Sequence, residues 1–260
     1  SSMTQQFPLL FTPYQLGKHT LQSRIVVTGH APNFYDSQHQ PNEYYGYYLR
    51  ERAKGGAGLV SLGASVVHPT STGDAMSNWD DGIIPKYRQI AKLVHEFPVP
   101  VIAQIMHQGR TAAVSQRNVL DGNWLSLAPS AVTTPSFGYV QAMPHEMSID
   151  DAEEIIDAFG QAAERIRKGG LDGVEVIVGS YDLISQFLHG QSNHRTDKYG
   201  GATLEERSTF MMEVLQRVRD AVGPDLLLGV RLYNDLVDYS IDHEDHKTIA
   251  QILDASGLLD

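Results

Sequence analysis

The side chains with the most chemistry to offer cluster at the ends of short apolar runs. Gln104 sits near the end of the run Val99 to Met106, and His107-Gln108-Gly109-Arg110 follows it. Arg231 holds the matching place in the run Leu226 to Leu232, and Thr28-Gly29-His30-Ala31 follows Arg24 to Val27. The densest stretch runs from Gly170 to Arg207. It holds the apolar run Val174 to Val178, a loop with Ser180, Tyr181 and Asp182, and the string Asn193-His194-Arg195-Thr196-Asp197-Lys198-Tyr199-Gly200-Gly201. Taken singly, Gln104 and Arg231 read as loop anchors or interior ion pairs, and Arg195 with Asp197 reads as a salt-bridged scaffold. His107 with Arg110 is a candidate patch for an anionic substrate, and the pair reads equally as structural. Of the eleven histidines, His243 and His246 stand three apart without a third placed ligand, so no metal is expected.

These groups need a frame, and the chain supplies a regular one. Strands are expected over 24–28, 58–67, 99–106, 174–178 and 226–232, each an apolar run bounded by turn residues. Helices are expected over 42–55, 87–97, 148–168, 204–222 and 244–256. Ser148 is the cap of the third, whose residues Ala152, Ile155, Ile156, Phe159, Ala162, Ala163 and Ile166 follow helical spacing. Thr203-Leu204-Glu205-Glu206 reads as a capping box opening the fourth. Residues 7–20 suggest a short hairpin or lid, and Gly257 to Asp260 looks like the start of a sixth strand. Five βα units in a row argue for a parallel α/β fold, either a (β/α)8 barrel or a doubly wound sheet. The Gly-x-Gly-x-x-Gly fingerprint of the second is absent after the first strand, which favours the barrel.

Bulk composition narrows the function. With 260 residues, 42% hydrophobic and 20% charged, the sequence is that of a soluble globular chain. A net charge of -11 argues against nucleic acid or an anionic membrane as partner. The absence of cysteine excludes disulfides, thiolate nucleophiles and iron–sulfur clusters within the chain. No apolar run is long enough to span a bilayer and no signal peptide is seen, so a cytoplasmic enzyme or binding protein is expected. Ser1-Ser2 before Met3 reads as a tag-removal scar.

Several segments then fall in a familiar order: Arg24-Ile25-Val26-Val27, Arg52 to Leu59, Gln104 to Arg110, Ala128-Pro129-Ser130, Asp172-Gly173-Val174-Glu175, Gln186-Phe187-Leu188 and Asn193 to Gly201. Together they resemble the FMN-dependent old yellow enzyme family, including its 2,4-dienoyl-CoA reductase and trimethylamine dehydrogenase branches. The resemblance covers essentially the whole chain and implies a TIM barrel with FMN at the C-terminal strand ends. It implies flavin contacts at Thr28, Gly29, His30, Ala64, Gln104 and Arg231. It also implies substrate contacts at His107, Arg110 and Ser180, and a proton donor at Tyr181 with Asp182 as partner. Ala31 stands where the trimethylamine dehydrogenase branch has its flavin-bonding cysteine, so the FMN is expected to be non-covalent.

Two departures qualify the resemblance. The family's fourth-strand His pair and following Tyr fall, without gaps, on Ile177, Ser180 and Asp182, and a one-residue slide is needed to make Tyr181 the donor. The sequence also stops near a sixth strand, so residues 1–260 are expected to be a C-terminally incomplete barrel of about five to six βα units, a fragment of a longer protein. The expected reaction is reduction of an activated C=C bond with electrons from NAD(P)H. The alternatives are oxidative demethylation of a small methylated amine and a degenerate flavin-fold protein without turnover. The partner is a small molecule, and a homo-oligomer is left open.

Overall fold

The computed structural model describes residues 2, 6–71, 75–114, 126–133, 143–179, 182–233 and 243–260. An antiparallel hairpin, β1 (Tyr14–Leu16) and β2 (His19–Leu21), opens the chain. The main sheet then takes its strands strictly in sequence: β3 (Val26–Val27), β4 (Leu59–Val66), β6 (Val101–Met106), β9 (Gly173–Val178) and β10 (Leu227–Leu232), each parallel to the last. The short β5 (Met76–Ser77) adds to β4, and β7 (Leu127–Ala128) pairs with β8 (His145–Glu146). A doubly wound sheet reverses its strand order part-way. This order never reverses, so the sheet is the first part of a (β/α)8 barrel.

Helices return the chain between strands. These are α1 (Glu43–Lys54), α2 (Ile83–Val94) and α3 (Ile149–Lys168), then α4 (Leu183–Leu188), α5 (Leu204–Arg207) and α6 (Thr209–Val222), with α7 (His243–Ser256) after β10. Caps set their starts. The Asn42 side chain accepts from the Tyr44 amide, and Ser148 with Asp151 and Thr203 with Glu206 form reciprocal capping boxes. Helix α2 begins at Ile83, four residues before the expected Tyr87. Pro85 lies in its first turn, where a missing N–H costs no intrahelical bond. The expected helix over 204–222 is two pieces, α5 and α6, divided at Ser208. The first expected strand pairs at Val26 and Val27 alone.

Strand alternation divides the interior in two. Val60, Leu62, Val101, Ala103, Ile105, Val174 and Val176 face the helices and join the apolar stripe of α3 in the main core. The opposite faces point into the barrel. There Leu16, Leu21, Leu59, Ile102 and Leu227 form a separate apolar plug at the N-terminal end. One level above it, Gln104, Glu175 and Gly229 stand side by side in register. Residues 257–260, where a sixth strand is expected to start, form no strand, but Asp260 lies beside β10: its amide donates to the Leu228 carbonyl at 3.0 Å, and its carboxylate accepts from the Leu228 amide and Arg219.

The string Asn193 to Gly201 is a tie. The Arg195 guanidinium makes a two-pronged pair with Asp197 at 3.0 and 2.6 Å, and donates to the carbonyls of Pro129 and Met147. The Asn193 amide donates to the carbonyls of Phe187 and Tyr199. Tyr199 is fully buried, edge-on to Phe187 and Phe210, and those two rings stack at 4.0 Å. Removing Arg195 strands two buried carbonyls and the Asp197 carboxylate. Arg195→Ala should lose about 3 kcal/mol of stability, read as a lower denaturant midpoint, and Arg195→Lys should recover less than half of it.

Candidate active site

The C-terminal ends of the strands surround a cavity of about 510 Å³, within the range of small-molecule sites. Its first wall is the segment after β3. The Tyr45 hydroxyl, on α1, donates to the His30 carbonyl at 3.0 Å and accepts from the Gly63 amide at 2.8 Å. Burial pushes that phenol up to about 12, so it keeps its proton. Gly63 permits the approach, since a Cβ there would lie 2.0 Å from the His30 oxygen. His30 is committed at both nitrogens: Nδ1 donates to the Thr28 carbonyl, and Nε2 accepts from the Tyr48 hydroxyl. It lines the cavity as a wall rather than a free base.

The floor is Gln104, with Gly29 and Ala64 beside it. A Cβ on Gly29 would come within 2.3 Å of the Gln104 amide. Behind the amide, Glu175 accepts from Nε2. Met106, Ile177 and Met76 supply apolar surface, and Tyr233 closes the β10 side with its ring against Gly179.

Asp182 contributes the one carboxyl among the described lining residues. It caps α4, and its Oδ1 accepts from the amides of Gly179 and Ser185. The side chain is 2% exposed, and Oδ2 has no hydrogen-bond partner among the described residues. Burial pushes this carboxyl up to about 7, against the opposing pull of the Ser185 and Gly179 amides.

The expected site residues divide clearly. Gly29, His30, Ala64, Gln104 and Asp182 line the cavity; Thr28, Arg231, His107 and Arg110 do not. Arg231 is the in-register neighbour of the lining Ile177, with its guanidinium 5.1 Å from the Tyr233 ring centre. His107 follows Met106 on the opposite side of the strand and is fully buried. Its Nδ1 accepts from the Gly109 amide and its Nε2 meets the Thr70 hydroxyl, which in turn meets His68 Nδ1. Burial holds it near 3, so it is neutral in this setting. Arg110 is spent on the carbonyls of Val132 and Thr133, fastening a loop. Ser180 and Tyr181 lie outside the described residues. Tyr233, Met106 and Ile177 were not singled out as wall residues; the alternation that turns Gln104 inward also turns Met106 and Ile177 inward.

The cavity suits one end of FMN. An amide with donor and acceptor, a backbone without Cβ beside it, and apolar walls match a flat uncharged ring with a polar edge. No lysine or arginine is among the described lining residues, so this wall offers a surface for a flat ring and no cation for a phosphate. The described residues contain no cluster able to hold a metal and no helix long and apolar enough to cross a membrane.

Comparison with known proteins agrees with this geometry. Residues 9–257 match the model of the NADH:flavin oxidoreductase / NADH oxidase family. The chain is 35% identical to N,N-dimethylglycine/sarcosine dehydrogenase of Chromohalobacter salexigens, over 98% of this chain and 36% of that protein. It is 32% identical to a multifunctional alkene reductase/demethylase of Caballeronia cordobensis, over 96% of this chain and 36% of that protein. In structure it resembles 2-naphthoyl-CoA reductase in complex with 2-naphthoyl-CoA, with a TM-score of 0.86 and 30% identity, covering 95% of this chain and 39% of that one. The chain therefore spans little more than a third of the length of these relatives.

The Asp182 environment has a signed consequence for stability. Its folded pKa lies near 7, above the usual 3.8, so the folded state holds the proton more tightly than the unfolded state between those values. Its contribution is present at low pH and is lost as pH rises through 7. Asp182→Asn keeps the cap and removes the titration. The melting temperature of the variant relative to wild type should be higher at pH 8 than at pH 4.5; a pH-independent difference would contradict the burial argument.

Proposed function

The chain belongs to the NADH:flavin oxidoreductase / NADH oxidase family, the old yellow enzyme family that its motifs resemble, and from that premise we propose that it forms the ring-binding part of an FMN-dependent oxidoreductase that reduces an activated C=C bond at the expense of NAD(P)H. FMN, held without a covalent bond, supplies the two-electron redox chemistry between the nicotinamide and the alkene. Gln104 meets the polar ring edge, and Gly29 and Ala64 leave room for the ring. Arg231, one strand position from the cavity wall, is the cation on hand for charge at that edge. Met106, Ile177 and Met76 keep water from the reacting face.

The observation that carries this reading is the protonatable Asp182 oxygen on the wall of an apolar cavity that also presents the Gln104 amide. A carboxyl whose burial pushes it up to about 7 still carries its proton in a large fraction of molecules at neutral pH, and can protonate the α-carbon of an alkene as the β-carbon is reduced. Tyr181, the next residue back, is the other candidate acid. His107, Arg110 and Ser180 stay as substrate contacts only if the substrate reaches beyond the cavity wall.

A second reading is oxidative demethylation of a small methylated amine. It is favoured by the rings of Tyr35, Tyr45 and Tyr233 on the cavity wall, which suit a cationic ligand, and by the dehydrogenase and demethylase names among the relatives. Absorbance spectroscopy separates the two. Bound flavin bleached by NADH or NADPH and restored by an enone supports alkene reduction, whereas bleaching by a methylated amine alone supports demethylation. If Asp182 is the acid, Asp182→Asn should lower the rate of alkene reduction by about 100-fold or more, while Tyr181→Phe stays near wild type. The reverse result assigns the acid to Tyr181.

A further inference from the structure

The feature that the proposed function leaves unused is Glu175. It is a charged residue at the centre of an otherwise apolar strand, turned into the barrel, and it stands in register between Gln104 and Gly229. It does not line the cavity. Its Oε1 accepts from Gln104 Nε2, so it lies behind the amide as seen from the site.

We propose that Glu175 is a positioning residue that fixes the orientation of the Gln104 amide and thereby makes the cavity floor selective for a cyclic imide edge. An amide can sit two ways round, exchanging its donor and acceptor ends. An ionised carboxylate only accepts. Turning the Gln104 oxygen toward Glu175 would set two acceptors against each other, so Nε2 is held to the carboxylate. Gly29 makes room for this placement, because a Cβ there would come within 2.3 Å of the Gln104 Cδ and Oε1 atoms. What remains for a ligand is Oε1 as acceptor and the second N–H of Nε2 as donor. That pair is complementary to an imide, in which a ring N–H stands beside a ring carbonyl. The inference rests on the flavin-binding part of the proposed function and not on the choice of substrate.

The test is a double-mutant cycle on the purified protein with wild type, Glu175→Gln, Gln104→Ala and the double variant. Each is titrated with FMN and with 3-methyl-FMN, in which the imide N–H is replaced by a methyl group. Glu175→Gln is close to isosteric, but its own amide can donate as well as accept, so it releases the orientation of Gln104. It should weaken FMN binding by about tenfold and reduce the preference for FMN over 3-methyl-FMN. In the Gln104→Ala background the same change should alter FMN affinity by less than about twofold. Glu175→Gln should also raise the midpoint potential of the bound FMN, because a negative charge is removed from behind the ring edge. Equal loss of FMN and 3-methyl-FMN, or the same loss in both backgrounds, would mean that Glu175 merely supports the fold and would overturn the inference while leaving the cofactor in place. Failure of the wild type to bind FMN would overturn the cofactor reading and this inference with it.

Discussion

Tyr45 places one hydroxyl between the carbonyl of His30 and the amide of Gly63, and the cavity depends on that bridge. Strand β3 pairs with β4 only at Val26 and Val27, so no sheet ladder holds the segment that follows it. The phenol substitutes for the ladder, satisfying one acceptor and one donor that would otherwise be stranded at the strand ends. Two missing Cβ atoms make the geometry feasible: Gly63 admits the His30 carbonyl, and Gly29 admits the Gln104 amide. The first wall of the site is thus drawn onto its floor by a side chain from α1 that is itself buried in the core.

The far side of the cavity is held by different means. Asp182 stands at the head of α4, and its Oδ1 ties that helix start to the end of β9 through the amides of Ser185 and Gly179. Below it, Arg195 gathers two distant pieces of chain onto its own loop, taking the carbonyls of Pro129 and Met147 together with the neighbouring Asp197. The polar string that looks chemically active is therefore occupied in joining loops. Among the described residues the polar side chains lining the cavity are few: Gln104, Asp182, His30, Asn33 and the tyrosines.

The sequence exposes this arrangement unevenly, for physical reasons. Strands and long helices were legible because apolar period and caps act locally: Ser148, Thr203 and Asn42 cap where their side chains suggest. The strand-end position of Gln104 fits a loop anchor or an interior ion pair equally well, and it was the family resemblance that pointed it toward the site. His107 and Arg110 have the right chemistry, but their burial and partners are tertiary facts. The Thr70 hydroxyl that occupies His107 comes from a loop thirty-seven residues away, and nothing in the local pattern announces it. Tyr233 carries no local signal of its place, because its ring contact with Gly179 depends on the register of β10 against β9.

Glu175 shows the same limit from the other side. A carboxylate inside an apolar strand costs several kcal/mol unless a partner meets it, so the sequence alone signals that some donor must face it. Only the register identifies that donor as Gln104. Once the pair is known, the desolvation argument runs in reverse. A barrel interior that needed only stability would carry an apolar residue at this level, as it does one level below with Ile102 and Leu227. The polar level contains the cavity floor itself, between the apolar plug and the mouth of the barrel. Retaining a charge there makes physical sense if the orientation of the amide beside it matters to whatever the cavity binds.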